Sequence, residues 1–232
     1  MIAVRHAADR GNANLGWLDS KHTFSFGDFH DPGHMGFGNL RVINEDRVQP
    51  GKGFSTHAHQ DMEIISYVIQ GALEHKDNMG NGSVMDSGEV QRMTAGTGVT
   101  HSEFNPSANE LVHFLQVWIL PEQQGLPPSY EQNTYSSDSK NNRLRLIASP
   151  TGREGSLTVH QQVDIFASIL DQDATLTHTF DVGRRGWIQV VRGTLEVNGE
   201  TLNAGDGAAI SETPVLKIKA SEKAEFLLFD MT

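Results

Sequence analysis

Residues 68–74 have the sequence Val-Ile-Gln-Gly-Ala-Leu-Glu, and residues 190–196 have the sequence Val-Val-Arg-Gly-Thr-Leu-Glu. In each segment a β-branched run meets a glycine and continues with alternating residues, which is typical of two strands joined by a tight turn. Each is followed by a turn-rich stretch and then by a glycine beside an acid, Gly88-Glu89 and Gly205-Asp206. Unrelated hairpins also share such features, but the agreement in order as well as residue type favours a duplicated β unit.

The rest of the chain supports an all-β fold. Short apolar runs alternate with Gly, Asn, Asp and Pro, and no long amphipathic helix pattern competes with them. Many short strands at regular spacing indicate a sandwich or barrel. The predicted strands are Leu40 to Ile43, Met62 to Ile69, Leu111 to Leu120, Arg143 to Ala148, Trp187 to Val191 and Phe226 to Phe229.

The most linker-like stretch lies between the two copies. It contains Pro127-Pro128 and the polar run from Ser136 to Asn142. We therefore predict an N-terminal domain of residues 1–135 and a C-terminal domain of residues 136–232.

Composition excludes several classes of protein. The 232 residues include 18 Lys and Arg against 29 Asp and Glu, a net charge of -11 without any basic cluster, which argues against nucleic-acid binding. The absence of cysteine excludes disulfides, zinc ribbons, iron–sulfur clusters and a cysteine nucleophile. The chain shows neither the apolar core of a signal peptide nor a membrane span of roughly 18 apolar residues. We expect a monomeric, cytoplasmic protein.

Two segments carry residues that bind metals. Residues 51–63 contain His57 and His59, and residues 93–105 contain His101 and Glu103. On a strand, side chains two residues apart project from one face, so each pair can converge on a single ion. Three imidazoles and one carboxylate would leave positions open for water or substrate, which suits catalysis better than a closed structural site.

Either pair alone is often no more than two exposed polar side chains. Together they lie in separate β segments, joined by a plausible hairpin and each preceded by glycines. We therefore predict one mononuclear metal site formed by His57, His59, His101 and Glu103.

The spacing of His57, His59 and Glu63, between Gly51 and Gly71, resembles the first motif of the cupins. Gly88, Gly96, His101 and Asn105 resemble their second motif. More specifically, residues 93–103, 16–26 and 31–37 resemble the pirin family of bicupins.

The resemblance to pirins implies two cupin barrels, of the double-stranded β-helix or jelly-roll type. It also implies one metal, usually iron as Fe²⁺, bound in the N-terminal barrel by His57, His59, His101 and Glu103. Zn, Mn, Co, Ni and Cu accept the same ligand set. Glu63 occupies a position that is a ligand in many other cupins but not in pirins, so we expect a structural or supporting carboxylate there.

The duplication also makes a prediction for the second half. Alignment on the repeated glycines places four residues opposite the ligands: Thr179, Asp181, Ile218 and Ala220. His178 alone lies nearby, and one imidazole cannot assemble a site. We predict that the C-terminal barrel binds no metal.

Other histidines are expected outside the site. We place His22, His30 and His34 in loops or on the surface, and predict no partner at ligand spacing for four others: His75, His113, His160 and His178. Five apolar residues are expected in the core, with one or two lining a pocket: Phe26, Phe54, Met93, Phe104 and Trp118.

Two functions follow from the resemblance. Some pirins open flavonols such as quercetin with O₂, and in that reaction Glu103 would act as a general base towards the flavonol hydroxyl. Eukaryotic pirins are instead associated with redox-dependent binding to a transcription factor or enzyme. A third possibility is that flavonol turnover is promiscuous and that another small molecule is the substrate.

Overall fold

The computed structural model describes residues 1–232 and contains 22 strands, one short α-helix and two 3-10 turns. The first twelve strands, in chain order, are β1 Ile2–Arg5, β2 Gly11–Asn14, β3 Leu18–His22, β4 Leu40–Val48, β5 Gly53–His59, β6 Glu63–Gln70, β7 Ala72–Asp77, β8 Gly82–Asp86, β9 Glu89–Thr94, β10 Val99–Phe104, β11 Val112–Ile119 and β12 Ser129–Thr134. The remaining strands are β13 Arg145–Ser149, β14 Leu157–Thr158, β15 Val163–Leu170, β16 Thr175–Thr179, β17 Arg185–Arg192, β18 Thr194–Val197, β19 Glu200–Asn203, β20 Gly207–Ile210, β21 Val215–Ala220 and β22 Ala224–Met231. Helix α1 is Ser137–Lys140, and the 3-10 turns are Ala7–Asp9 and Arg153–Gly155.

Residues 11–134 and 157–161 form one compact unit, the N-terminal barrel. It contains a sheet with strand order β12-β9-β6-β11-β4-β3-β2 and a second sheet with order β5-β10-β7-β8. Buried apolar side chains from both sheets share one cluster, in which Val68 and Phe114 of the first sheet pack with Leu73 and Met85 of the second. The two sheets therefore close around a common interior, as in a sandwich or barrel.

Residues 1–10, 135–156 and 162–232 form the second unit, the C-terminal barrel. Strands β1-β20-β17-β22-β15-β13 are neighbours in its larger sheet, and β16-β21-β18-β19 form the smaller one. Its core joins the two sheets in the same way, with Ile188 and Phe226 packed against Leu195 and Leu216.

Both predicted hairpins are present, and the same constraint explains their glycines. Gly71 joins β6 to β7 with φ +74°, and Gly193 joins β17 to β18 with φ +75°. A Cβ at Gly71 would lie 2.5 Å from the carbonyl oxygen of Leu111, and one at Gly193 would lie 2.2 Å from that of Lys223. Only glycine combines the left-handed conformation with this close approach.

Two short segments pack away from their neighbours in sequence. Strand β1 pairs with β20 in the C-terminal barrel, whereas residues 157–161 belong to the N-terminal barrel. There, the backbone N–H of Thr158 donates to Glu131 at 2.8 Å, and that of His160 donates to Glu63 at 3.1 Å. The sequence-based domain ranges of 1–135 and 136–232 remain a proposal.

All six predicted strands are present, but the first is longer than predicted. Strand β4 continues past Ile43 to Val48 through the polar residues Asn44, Glu45 and Asp46, all of which are buried. Its extension supplies part of the interior surface described below. None of the helices has the length and apolar character needed to cross a membrane.

Candidate metal centre and its cavity

The predicted ligand pairs lie on two neighbouring strands of the smaller N-terminal sheet. Strands β5 and β10 are antiparallel, with His101 opposite His57 and Val99 opposite His59. The register shifts between His101 and Glu103, where Glu103 pairs with Phe54. Both pairs therefore have the i, i+2 strand spacing on which the sequence prediction rested.

Three imidazoles converge at this point. The candidate ligand atoms of His57, His59 and His101 all lie within 4.8 Å of one another. His57 Nε2 lies 3.1 Å from His101 Nε2, and the two ring centroids are 4.5 Å apart. Two nitrogens bound to one ion at about 2.1 Å and at right angles would be about 3.0 Å apart. The spacing therefore suits adjacent ligands of a metal.

The protonation of the rings also suits a metal. Burial lowers the pKa of His59 to about 4, and burial together with the neighbouring histidines lowers that of His101 to about 3. Both rings are therefore neutral near pH 7. His57 donates from Nδ1 to the carbonyl oxygen of Ser55 at 2.8 Å, which directs the lone pair of Nε2 towards His101.

Glu103 lies on the same strand as His101 and is held by a row of amide and hydroxyl groups. Ser66 and Gln91 donate to Oε1 at 3.2 and 3.1 Å, and Gln116 donates to Oε2 at 2.7 Å. An ionised carboxylate has about four lone-pair positions, so these donors leave about one for a metal. Burial raises the pKa of Glu103 to about 7, despite the hydrogen bond from Ser66, and a bound cation would favour its ionised form.

The donors to Glu103 belong to a polar row that crosses the larger sheet. The strand register aligns five residues on consecutive strands: His22, Asn44, Gln116, Ser66 and Gln91. Because they share a register position, their side chains point into the same barrel interior. Their alignment gives the barrel a polar floor beneath the histidines.

His75 corrects one prediction, since it does have partners in this region. Its ring is fully buried, with Nδ1 3.4 Å from His101 Nδ1 and Nε2 3.1 Å from Asp77 Oδ2. The ligand atoms of His75, His101 and Glu103 also lie within 4.8 Å of one another. The His-x-Asp pair at 75 and 77 has the same i, i+2 spacing as the two predicted pairs, so the sequence carried a signal for it.

The hydrogen bonds assign a tautomer to each ring. Although burial works in the opposite direction, hydrogen bonds from Asn81 and His75 hold the pKa of Asp77 below its usual value. An ionised Asp77 only accepts, so His75 donates from Nε2 and accepts at Nδ1. His101 then donates from Nδ1 and keeps the lone pair of Nε2 on the side of His57 and His59.

A cavity of about 750 Å³ opens onto the cluster, and His57, His59 and Glu103 line it. Aromatic side chains form much of its wall. Trp118 lies edge-on to His59 with ring centroids 5.0 Å apart and to Phe26 at 5.4 Å. Phe26, Phe54 and Trp118 therefore line the pocket, which is one more residue than we predicted.

The structure also shows the positions of His22 and Glu63, both of which are buried. His22, predicted to be a loop or surface residue, is buried in β3 and lines the cavity because the strand alternation turns it inwards. Glu63 is fully buried and accepts hydrogen bonds from His160. Because Ser66 faces Glu103, the alternation along β6 places Glu63 on the opposite face of the sheet.

In the C-terminal barrel, His178 has a different environment. Its Nε2 lies 2.8 Å from Asp230 Oδ2, and its ring packs edge-on against Phe180. The prediction that this barrel binds no metal stays a prediction.

Known proteins match the sequence of this chain along its whole length. The family profile described as Pirin matches residues 3–119, and the profile described as Quercetinase C-terminal cupin domain matches residues 146–231. The chain is 47% identical over 231 residues to the quercetin 2,3-dioxygenase of Escherichia coli strain K12, covering 100% of this chain and 99% of that protein. It is 43% identical over 235 residues to the putative quercetin 2,3-dioxygenase PM1685 of Pasteurella multocida strain Pm70, covering 100% of both.

Solved structures agree with the sequence matches. The crystal structure of YhhW from Escherichia coli superposes with a TM-score of 0.97 at 46% identity, covering 100% of this chain and 98% of that chain. The nickel(II) complex of the same bacterial pirin gives a TM-score of 0.95 at 46% identity, covering 100% and 99%. The predicted all-β fold with two cupin barrels is confirmed. The chain belongs to the pirin family.

Proposed function

We propose that this protein is a metal-dependent dioxygenase that opens flavonols such as quercetin with O₂. The observation that carries the proposal is the convergence of three imidazoles and a buried carboxyl group on an aromatic-lined cavity. The full-length identity to relatives named quercetin 2,3-dioxygenase supports an oxidoreductase that incorporates O₂.

The ligands that we propose are His57, His59, His101 and Glu103, around one divalent transition metal. Imidazole and carboxylate donors suit Fe²⁺, which is our proposal for the ion, and they also suit Ni²⁺, which is present in the YhhW complex. Such an ion would supply Lewis acidity, which lowers the pKa of a coordinated hydroxyl, and would mediate electron transfer to O₂.

The cavity wall suits the body of a flavonol. Trp118, Phe26 and Phe54 offer flat apolar surfaces against which aromatic rings can pack, and a volume of about 750 Å³ is in the range of small-molecule sites. By packing around the ligand, these side chains would exclude water from the reacting atoms.

Glu103 is the general base in the sequence-based hypothesis. Its carboxyl group borders the cavity and has a pKa raised to about 7 by burial, which suits proton transfer near neutral pH. The donors Ser66, Gln91 and Gln116 hold it in position, so its first role in our proposal is that of a ligand.

Anaerobic loading with Fe(II), followed by quercetin and O₂, tests the proposal. The loaded protein should bleach the flavonol absorbance and release CO, and protein stripped of metal by a chelator should do neither. Loading with Ni(II) in parallel would test the choice of ion. If protein that retains its metal neither bleaches quercetin nor releases CO, the proposed function is wrong.

A further inference from the structure

Two residues that line the cavity each carry a buried oxygen atom without a hydrogen-bond partner. Asn44 Oδ1 and Asp46 Oδ1 belong to β4, and each of these residues is only 3% exposed. Both side chains line the cavity that holds the histidines. A buried oxygen that is left without a donor destabilises the fold, so such atoms call for an explanation.

The neighbours of these two residues cannot satisfy them. Ser20 is hydrogen-bonded to the Asp46 carboxyl group, yet Oδ1 remains unpaired. Gln116 lies opposite Asn44 in the sheet, but its amide nitrogen donates to Glu103 and its oxygen accepts from Trp118. The two oxygen atoms therefore lack hydrogen-bond donors.

The spacing of the two oxygens limits the occupant further. Asn44 and Asp46 are two residues apart on one strand, so their Cα atoms are about 7 Å apart and their side chains share a face. A ligand that meets both must carry at least two hydrogen-bond donors across several ångströms. Because the cavity also presents Trp118, Phe26 and Phe54, the rest of that ligand must be aromatic and apolar.

We infer that Asn44 and Asp46 bind hydroxyl groups of a polyhydroxylated aromatic ligand, and that Asp46 Oδ1 accepts the proton of one of them. The inference deepens the proposed function, on which it rests, by adding a hydroxyl-binding subsite and a proton acceptor distinct from Glu103. In the transfer, the O–H bond of the aromatic hydroxyl breaks and a new O–H bond forms at Asp46 Oδ1. The electron pair stays on the aromatic oxygen, which becomes the anion.

Asp46 is better placed than Glu103 to accept this proton. Glu103 accepts from Ser66, Gln91 and Gln116, and a metal would take its remaining lone pair. It could act as a base only by giving up one of those bonds. Asp46 lines the same cavity, and its buried Oδ1 has no hydrogen-bond partner.

The charges around Asp46 support this role. Burial raises its pKa to about 7, the hydrogen bond from Ser20 works against the rise, and the charges of Glu45 and Asp19 add to it. From the opposite sheet, Glu103 interacts electrostatically with Asp46. Raising the pKa of a carboxylate brings it closer to that of a phenolic hydroxyl, which is about 10, so the transfer becomes less unfavourable.

The test is quercetin binding to Fe(II)-loaded protein without O₂, followed by absorbance across pH. Asp46→Asn should weaken binding at pH 7 by about tenfold. Because it removes a negative charge beside the new anion, it should also lower by about one unit the pH at which half of the bound quercetin is anionic. Asn44→Ala should weaken binding by several-fold without moving that midpoint. Asp19→Asn, which removes a nearby charge outside the cavity, should bind quercetin as the wild type does.

A second measurement needs no variant. 3-Hydroxyflavone keeps the hydroxyl group that would reach the metal but lacks the other four of quercetin, and the wild type should bind quercetin about a hundredfold more tightly. An unchanged midpoint in Asp46→Asn, or equal affinity for 3-hydroxyflavone and quercetin, would overturn the inference. The proposed function fails separately, if quercetin binds but is not consumed when O₂ is added. A wild type that does not bind quercetin would overturn both.

Discussion

His101 is the residue on which the site depends most. Its Nε2 faces His57 at 3.1 Å, and its Nδ1 faces His75 at 3.4 Å. Sequence spacing was sufficient to predict His57, His59, His101 and Glu103 as a group, because i, i+2 pairs on a strand share a face. It was insufficient to predict that His75 contacts His101, because that contact depends on which strand lies beside β10.

Removal of the His75–Asp77 pair should weaken metal binding without abolishing it. His75→Ala and Asp77→Asn leave the proposed ligands in place but remove the groups that orient His101. Losses of such orienting groups typically cost about 10–100-fold in metal affinity. Competition with a chelator measures the dissociation constant.

The matched control is His113→Gln, which removes another buried histidine paired with a carboxylate, 2.9 Å from Glu45. It should leave the metal affinity unchanged. Complete loss of metal from His75→Ala would instead identify His75 as a ligand.

Asp46 should make the stability of the metal-free protein depend on pH. With a pKa raised to about 7 by burial, the folded state keeps a proton that the unfolded chain releases near pH 4. Its stabilising contribution is therefore full below about pH 4 and is lost as the pH rises through 7. Asp46→Asn has no charge to bury, so its stability relative to the wild type should increase between pH 4 and pH 8, by on the order of 4 kcal/mol.

Urea unfolding of both proteins at the two pH values checks this expectation. Asp19→Asn, which alters a half-exposed carboxylate, serves as the comparison. A constant difference between Asp46→Asn and the wild type at all pH values would contradict a buried, titrating Asp46.

At the scale of elements, the C-terminal half of β4 is a strand segment that the sequence did not predict. The run Asn44-Glu45-Asp46 looks like a turn, yet it continues the strand, where Asn44 belongs to the polar floor of the barrel and both Asn44 and Asp46 line the cavity. That floor arises from the register of five strands that are far apart in the chain. Local patterning predicts the existence of strands well, whereas register depends on long-range pairing that a single sequence does not display.

The duplicated hairpin glycines make a prediction at this scale. Gly193→Ala should destabilise the C-terminal barrel by about 2–4 kcal/mol, because it combines a left-handed residue with a Cβ 2.2 Å from the Lys223 carbonyl oxygen. Gly199→Ala is the matched control, since Gly199 has φ +94° but nothing within 4 Å of the added Cβ. Thermal unfolding should show a much smaller loss for Gly199→Ala. Equal losses would mean that backbone conformation alone, without the close approach, constrains Gly193.

At the scale of the whole molecule, the two barrels share a hairpin architecture but differ in chemistry. The duplication could be recognised in the sequence because Gly71 and Gly193 are both required by a left-handed backbone and a nearby carbonyl oxygen. The placement of residues 1–10 in the C-terminal barrel was not readable, because β1 is a short strand whose partner, β20, lies about 200 residues later.

Deletion of residues 1–10 should therefore affect the C-terminal barrel and not the metal. Strand β1 pairs with β20 over four residues, from Ile2 opposite Ile210 to Arg5 opposite Gly207. Its loss would expose the edge of β20, which lowers stability and promotes aggregation. We expect a lower unfolding temperature with unchanged metal content, because the proposed ligands lie within residues 11–134. An unchanged unfolding temperature would show that β1 contributes little.

Metal content per chain tests the central claim most directly, namely that His57, His59, His101 and Glu103 hold one ion. We expect one transition-metal ion per wild-type chain, almost none in His101→Ala, and an unchanged content in His178→Ala of the C-terminal barrel. The same metal content in His101→Ala as in the wild type would contradict it.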